Sequence, residues 1–156
     1  MKISDEDIQN LIDSICVRSV EGLDGSILCT SVGAIKLREA SVVAPSVKTR
    51  DVIRLCQMSN RGVVVIMTSK IEGVFSERDI VKKFFDLDLD APIKSYMTSP
   101  VKTISPVEPL AFALTLMSKG GFRHLPVVQD DHLVGVLSVR DILEFISYKI
   151  FERIVE

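Results

Sequence analysis

The stretch Gly73-Val74-Phe75-Ser76-Glu77-Arg78-Asp79-Ile80-Val81 occurs a second time as Gly135-Val136-Leu137-Ser138-Val139-Arg140-Asp141-Ile142-Leu143. Six of the nine positions are identical, and two of the other three exchange one apolar residue for another. Self-similarity of this quality points to a duplicated unit, and it has to be settled before any single residue is interpreted.

The surroundings of the two copies repeat as well. In the second copy, Leu110, Ala113, Leu114 and Met117 recur at helical spacing and Gly120-Gly121 ends the helix. Residues 125–128 read as a buried strand, Asp130-Asp131 as a turn and 133–137 as the returning strand. A second helix after Ser138 carries Ile142, Phe145, Ile146 and Lys149 along one face. In the first copy Val52, Leu55 and Cys56 mark the helix, Asn60-Arg61-Gly62 its end, and 63–67 and 71–75 the strand pair, with a helix after Ser76. Ser41-Val42-Val43 and Lys102-Thr103-Ile104 each precede a proline turn and read as short lead-in strands.

The pattern predicts an α+β fold of two β-α-β-β-α repeats. One unit of about 50 residues buries too little to stand alone, so the two are expected to pack face to face. The expected organisation is a helical extension over 1–31, a first repeat over 32–85, a polar linker over 86–95, and a second repeat with its C-terminal helix over 96–156. The extension begins with Ser4 before Asp5, Glu6 and Asp7, followed by Ile8, Leu11, Ile12 and Ile15, an amphipathic helix with a well-formed start.

Composition removes several function classes. The chain has 156 residues, 47% of them hydrophobic, with 19 basic against 21 acidic side chains for a formal charge of −2. That balance argues against a nucleic-acid reader, and basic–aromatic interleaving is absent too. No apolar run reaches the roughly 18 residues of a membrane span, and the acidic N-terminus carries no secretory signal. Cys16, Cys29 and Cys56 are scattered, without a Cys-x-x-Cys pair, so reduced thiols in a cytoplasmic protein are expected. There is no activated nucleophile, Gly-rich phosphate loop or metal-ligand cluster, so no catalytic residue, metal or cofactor is assigned.

The motif Gly-hydrophobic-x-Ser-x-x-Asp, at Gly73, Ser76 and Asp79 and again at Gly135, Ser138 and Asp141, resembles that of a CBS-domain pair, the regulatory module named after cystathionine β-synthase. Arg123-His124-Leu125-Pro126-Val127-Val128 looks like the central strand of that family's second copy, and the resemblance spans residues 32–147. It implies a flat disk with a pseudo-twofold axis and two clefts between the repeats. Such clefts take AMP, ADP, ATP, S-adenosylmethionine or related molecules, with the motif Asp on the ribose and the Ser and nearby basic residues on ribose or phosphate. Two such modules often pair into a dimer.

Carried onto this sequence, the resemblance nominates Ser76, Arg78 and Asp79 with Val42, Val43 and Val63 for one cleft. It nominates Ser138, Arg140 and Asp141 with Thr103, Ile104, Arg123, His124 and Pro126 for the other, which is expected to be the better furnished. A structural reading stands beside it. Ser-x-x-Asp before an apolar run is also a helix capping box. Arg78 and Arg140 sit unfavourably in a first helical turn, which calls for a phosphate or a neighbouring carboxylate such as Glu77 or Asp79. His124 next to an apolar strand is also compatible with a plain structural role, and the valines with ordinary strand filling. The function expected is a non-catalytic sensor of an adenosine-containing ligand; the alternative is a constitutive dimerisation or protein-interaction module with unused clefts. Apolar residues between 142 and 155 exceed what one repeat covers and point to a homodimer, with any regulated protein partner unidentified.

Overall fold

A computed structural model describes residues 23–59 and 62–155, together with positions 6, 10, 19 and 20. In chain order the elements are β1 (Ser19–Val20), β2 (Leu23–Asp24), α1 (Ser26–Cys29), β3 (Val42–Val43), α2 (Thr49–Met58), β4 (Val63–Met67), β5 (Ile71–Ser76), α3 (Glu77–Lys83), α4 (Leu110–Gly120), β6 (His124–Gln129), β7 (His132–Ser138) and α5 (Val139–Val155). Short 3-10 turns at Val32–Ala34 and Ile93–Ser95 precede the two repeats. The amphipathic helix expected from Ser4 lies outside the described residues. Cys29 is disulfide-bonded, which corrects the expectation of a reduced thiol there, whereas Cys56 is free and buried.

The two repeats are built alike. In the first, β3 runs parallel to β4 and β4 antiparallel to β5. In the second, β6 and β7 form the antiparallel pair, and the lead-in strand is reduced to one parallel bridge from Ile104 to Val127. Lys102 and Thr103, expected in that strand, make no ladder contact. Both hairpins carry a register shift at the same place, Ile66/Met67 and Val127/Val128. The β6–β7 turn is the pair Asp130-Asp131, with φ of 49° and 62°. This is the two-residue hairpin geometry in which Asp and Asn replace glycine most readily.

The repeats exchange their lead-in segments. Arg38 bridges Val136 of β7, in the second repeat, while Thr98 bridges Val74 of β5, in the first. Thr98 N–H donates to the Val74 carbonyl at 2.8 Å and accepts at its own carbonyl from Val74 N–H at 3.1 Å; Val136 N–H donates to the Arg38 carbonyl at 3.1 Å. Ser31 with Pro109 and Lys48 with Pro92 form a second such pair of bridges.

The cores record the same exchange. Val32, Ile35 and Leu37 pack with Leu110, Met117, Leu125, Leu137 and Ile142. Ile93, Tyr96 and Met97 pack with Val52, Cys56, Val64, Ile66 and Phe75. Each fully buried aliphatic or aromatic side chain in these clusters contributes about 1.5–3 kcal/mol, so the exchanged segments are held by burial as much as by backbone bonds. Val63 and Val65 meet Val136 between the sheets, flanked by Val74 and Leu133, which joins the repeats face to face.

The motif glycines follow from this crossing. A Cβ at Gly135 would stand 2.8 Å from the Arg38 carbonyl oxygen and 3.1 Å from Leu37 Cβ. A Cβ at Gly73 would collide with Met97 Sδ. Only a residue without a side chain lets the other repeat's segment cross the strand at that height.

Candidate functional site

Each hairpin ends in a serine that closes the strand and opens a helix. Ser138 N–H and Ser138 Oγ both donate to Asp141 Oδ2, at 2.8 and 2.6 Å, and Asp141 N–H donates back to Ser138 Oγ at 3.2 Å. Ser76 N–H and Oγ donate to Asp79 Oδ2 at 2.9 and 2.7 Å. The capping geometry read from the spacing is therefore present in both copies.

One carboxylate oxygen of each Asp remains for other partners, and in both cases the crossing segment supplies one. Asp141 Oδ1 pairs with Arg38 Nε at 2.8 Å, and Asp141 is only 7% exposed. Asp79 Oδ1 accepts from Thr98 Oγ1 at 2.9 Å and lies 3.6 Å from Lys83 Nζ, with Asp79 13% exposed. The acid that caps each helix thus also fastens the other repeat to it.

Both Asp residues open onto clefts. The Asp79 cleft, about 200 Å³, is lined by Ser76, Arg78, Lys82, Thr98 and Lys102, with Pro100 and Val101 on its wall. The Asp141 cleft, about 470 Å³, is lined by Arg38, Glu39, Ser41, Ser138 and Arg140, with Ala40 and Leu143 among its apolar atoms. Gly62, Val63, Glu77, Arg123 and His124 line both, so the clefts meet along the end of β4 and the start of β6.

Among the residues nominated from sequence, Val63, Arg123, His124 and the two Ser-x-Arg-Asp sets reach the clefts. Arg123 and His124, assigned to the second cleft, serve both and so do not rank one above the other. Val42, Val43, Thr103, Ile104 and Pro126 line neither cleft. Ile104 and Pro126 are buried instead, Ile104 within the second core. The lead-in contribution comes from Arg38–Ser41 positions and from Thr98, Val101 and Lys102, each toward the cleft of the opposite repeat.

The two motif arginines find partners other than Glu77 or Asp79. Arg140 Nε pairs with Glu144 Oε1 at 2.9 Å, one helical turn on. Arg78 Nη1 donates to the carbonyl of Gly121, the left-handed residue (φ 62°) that ends α4. Among the described residues, no group of three or more His, Cys, Asp or Glu side chains is placed to hold a metal ion. No helix among them is long and apolar enough to cross a membrane.

Comparison with known proteins agrees with this geometry. The CBS domain family model matches residues 93–148. An uncharacterised 17.7 kDa protein of Acidianus ambivalens is 34% identical over 118 residues, covering 74% of this chain and 72% of that protein. The chain spans only 33% and 46% of two longer curated relatives. A CBS domain protein of Pyrobaculum aerophilum, solved in complex with AMP, superposes with a TM-score of 0.66 at 28% identity, covering 76% of this chain and 98% of that one. The CBS domain pair of protein MJ0100, solved with 5′-methylthioadenosine and S-adenosyl-L-methionine, gives 0.68 at 26% identity over 78% of this chain and 98% of that one. With the duplicated motif, the exchanged lead-in segments and paired clefts already in place, the chain belongs to the CBS-domain family as a tandem pair.

Proposed function

We propose that the chain is a non-catalytic regulatory module whose clefts take an adenosine-containing ligand. The observation that carries the proposal is the duplicated Asp, buried at Asp141 and mostly shielded at Asp79, capping its helix and presenting one oxygen to a cleft that also holds basic side chains. Two hydroxyls of a ribose would replace the Thr98 or Arg38 donor on that oxygen. The solved relatives with AMP and with S-adenosyl-L-methionine support the ligand class. Because Thr98 and Arg38 belong to the opposite repeat, exchanging them for a ligand alters the contact between repeats, which is how binding reaches a partner. A cytoplasmic setting suits such a nucleotide sensor.

Isothermal titration against AMP, ADP, ATP and S-adenosylmethionine tests the proposal. Dissociation constants in the micromolar to millimolar range, about −8 to −4 kcal/mol, are expected for clefts with a few polar anchors. Absence of both heat and thermal shift with all four ligands at millimolar concentration would leave the competing reading, a constitutive interaction module.

A homodimer accompanies this reading. Val81, Phe84 and Phe85, at the end of α3, and Leu143, Tyr148 and Phe151 on α5 are exposed, Phe85 to 97%. Apolar faces of this kind on two helices favour a self-complementary contact. Light scattering is expected to give twice the chain's 17.3 kDa at tens of micromolar protein, and a mass equal to one chain would refute the dimer.

A further inference from the structure

We infer that the two clefts are not equivalent: the Asp79 cleft takes a phosphate-bearing adenosine ligand and the Asp141 cleft a phosphate-free one. The inference rests on the proposed adenosine binding and adds a division of labour to it.

The division comes from charge. The shared residues contribute one cation, Arg123, and one anion, Glu77, to both clefts. Beyond these, the Asp79 cleft holds Arg78, Lys82 and Lys102 against the single carboxylate of Asp79, whose nearest cation is Lys83. Among the described residues Lys82, Lys102 and Arg123 make no ion pair, and Arg78 spends one nitrogen on a neutral carbonyl. Cations in excess of the Glu77 and Asp79 carboxylates repel one another, and a phosphate relieves that repulsion while accepting charge-assisted hydrogen bonds.

In the Asp141 cleft the two cations that it does not share, Arg38 and Arg140, are already paired. Arg38 lies between Asp141 Oδ1, at 2.8 Å, and Glu144 Oε2, at 3.3 Å, and Arg140 is held by the same Glu144. Glu39 adds another carboxylate to the lining. A phosphate placed there would compete with Glu144 for Arg140 and face Glu39 and Glu77. An uncharged or cationic substituent on the 5′ carbon meets no such penalty, and the larger volume, about 470 Å³ against about 200 Å³, leaves room for it.

AMP and 5′-methylthioadenosine share the nucleoside and differ at the phosphate, so they make the test. In the wild-type chain, saturating AMP should leave the calorimetric titration with 5′-methylthioadenosine intact. The double substitution Lys82→Ala/Lys102→Ala should weaken AMP about tenfold or more, because each lost phosphate bond is charge-assisted. Asp141→Ala should instead weaken 5′-methylthioadenosine by about tenfold. Lys102→Gln alone, at an exposed position, keeps the test interpretable if the double variant unfolds. Full competition between the two ligands, or loss of AMP binding in Asp141→Ala with none in the lysine variants, would overturn the assignment. Failure of both ligands to bind the wild-type chain would refute the adenosine reading itself, a separate outcome.

Discussion

Gly135→Ala adds one methyl group where the first repeat's lead-in segment crosses β7. The new Cβ would meet the Arg38 carbonyl oxygen at 2.8 Å and Leu37 Cβ at 3.1 Å. Ordinary contact at both atoms requires the segment to retreat by roughly half an ångström, and the first obstacle is backbone, which no rotamer change removes. Retreat lengthens the Val136 N–H to Arg38 carbonyl bond, now 3.1 Å, and draws Arg38 Nε away from Asp141. Overpacking of this kind costs about 1–3 kcal/mol, while the reduced freedom of the unfolded chain returns about 0.4–1. The net destabilisation is about 1–2 kcal/mol, a drop in Tm of about 2–8 °C for a chain of this size. Gly73→Ala is the comparison, because there the clash is with the Met97 side chain. Adding Met97→Ala removes the Sδ and Cγ contacts and leaves only the Cβ contact at 2.9 Å, so it should relieve Gly73→Ala in part, while Leu37→Ala should not relieve Gly135→Ala. Urea denaturation of the four variants measures this. A Gly135→Ala chain as stable as wild type, or one rescued by Leu37→Ala, would refute the crossing-segment argument.

Three shorter predictions follow from the same packing. Burial, with the charges of Glu77 and Asp79 behind it, pushes the Cys56 thiol up to about 11, so iodoacetamide at pH 8 should label Cys56 only in urea; rapid labelling of the folded chain, read by peptide mass spectrometry, would contradict this. Gly121 holds φ 62° at the end of α4, and Gly121→Ala should cost about 1 kcal/mol by thermal unfolding, against a smaller loss for Gly121→Asn. Asp90 is held below the usual carboxylate range, first by its hydrogen bond from Lys48 and then by the charges of Arg50 and Lys48. Its contribution is present at neutral pH and is lost as pH falls through that lowered value, so the stability curves of wild type and Asp90→Asn should converge in acid and separate above about pH 4.

The secondary structure was legible because it depends on local chemistry. The run Val63-Val64-Val65-Ile66-Met67 is β4 to the residue, Asp130-Asp131 makes the hairpin turn, and Gly121 ends α4 where the glycine pair stands. Ser76 and Ser138 cap through Asp79 and Asp141 as their spacing requires. What the pattern did not carry was which repeat each lead-in segment joins. Apolar periodicity reports that residues near Leu37 or Met97 are buried, and says nothing of whose sheet buries them. The pattern therefore carries no signal for Arg38 or Thr98, and it nominates Thr103 where its neighbour Lys102 lines a cleft. In an extended segment one residue's step reverses the direction of the side chain. The partner of Arg140 escaped for a simpler reason: Glu144 stands at i+4, a pairing the helical spacing allows but the motif does not contain.

The crossing also explains why a glycine repeats together with the Ser and Asp in both copies. Gly73 and Gly135 are tied to the segment that passes over them, since a Cβ at either would collide with it. Three residues on, Ser76 and Ser138 end the strand and fix the Asp by two hydrogen bonds to one oxygen. The other oxygen then receives Thr98 or Arg38 from that same crossing segment. Glycine, serine and aspartate thus act on one neighbour at two heights, the first by admitting it and the last by bonding it. The two copies differ in that bond, a hydroxyl at Asp79 and a guanidinium at Asp141. On the proposed reading, a ribose hydroxyl would replace the Thr98 hydroxyl like for like, whereas displacing Arg38 would also strip a charge from a carboxylate only 7% exposed. Leaving a buried charge short of its partner is the costlier exchange. If the clefts bind as proposed, the same duplication would give them different costs of ligand entry, set by the identity of one crossing residue in each.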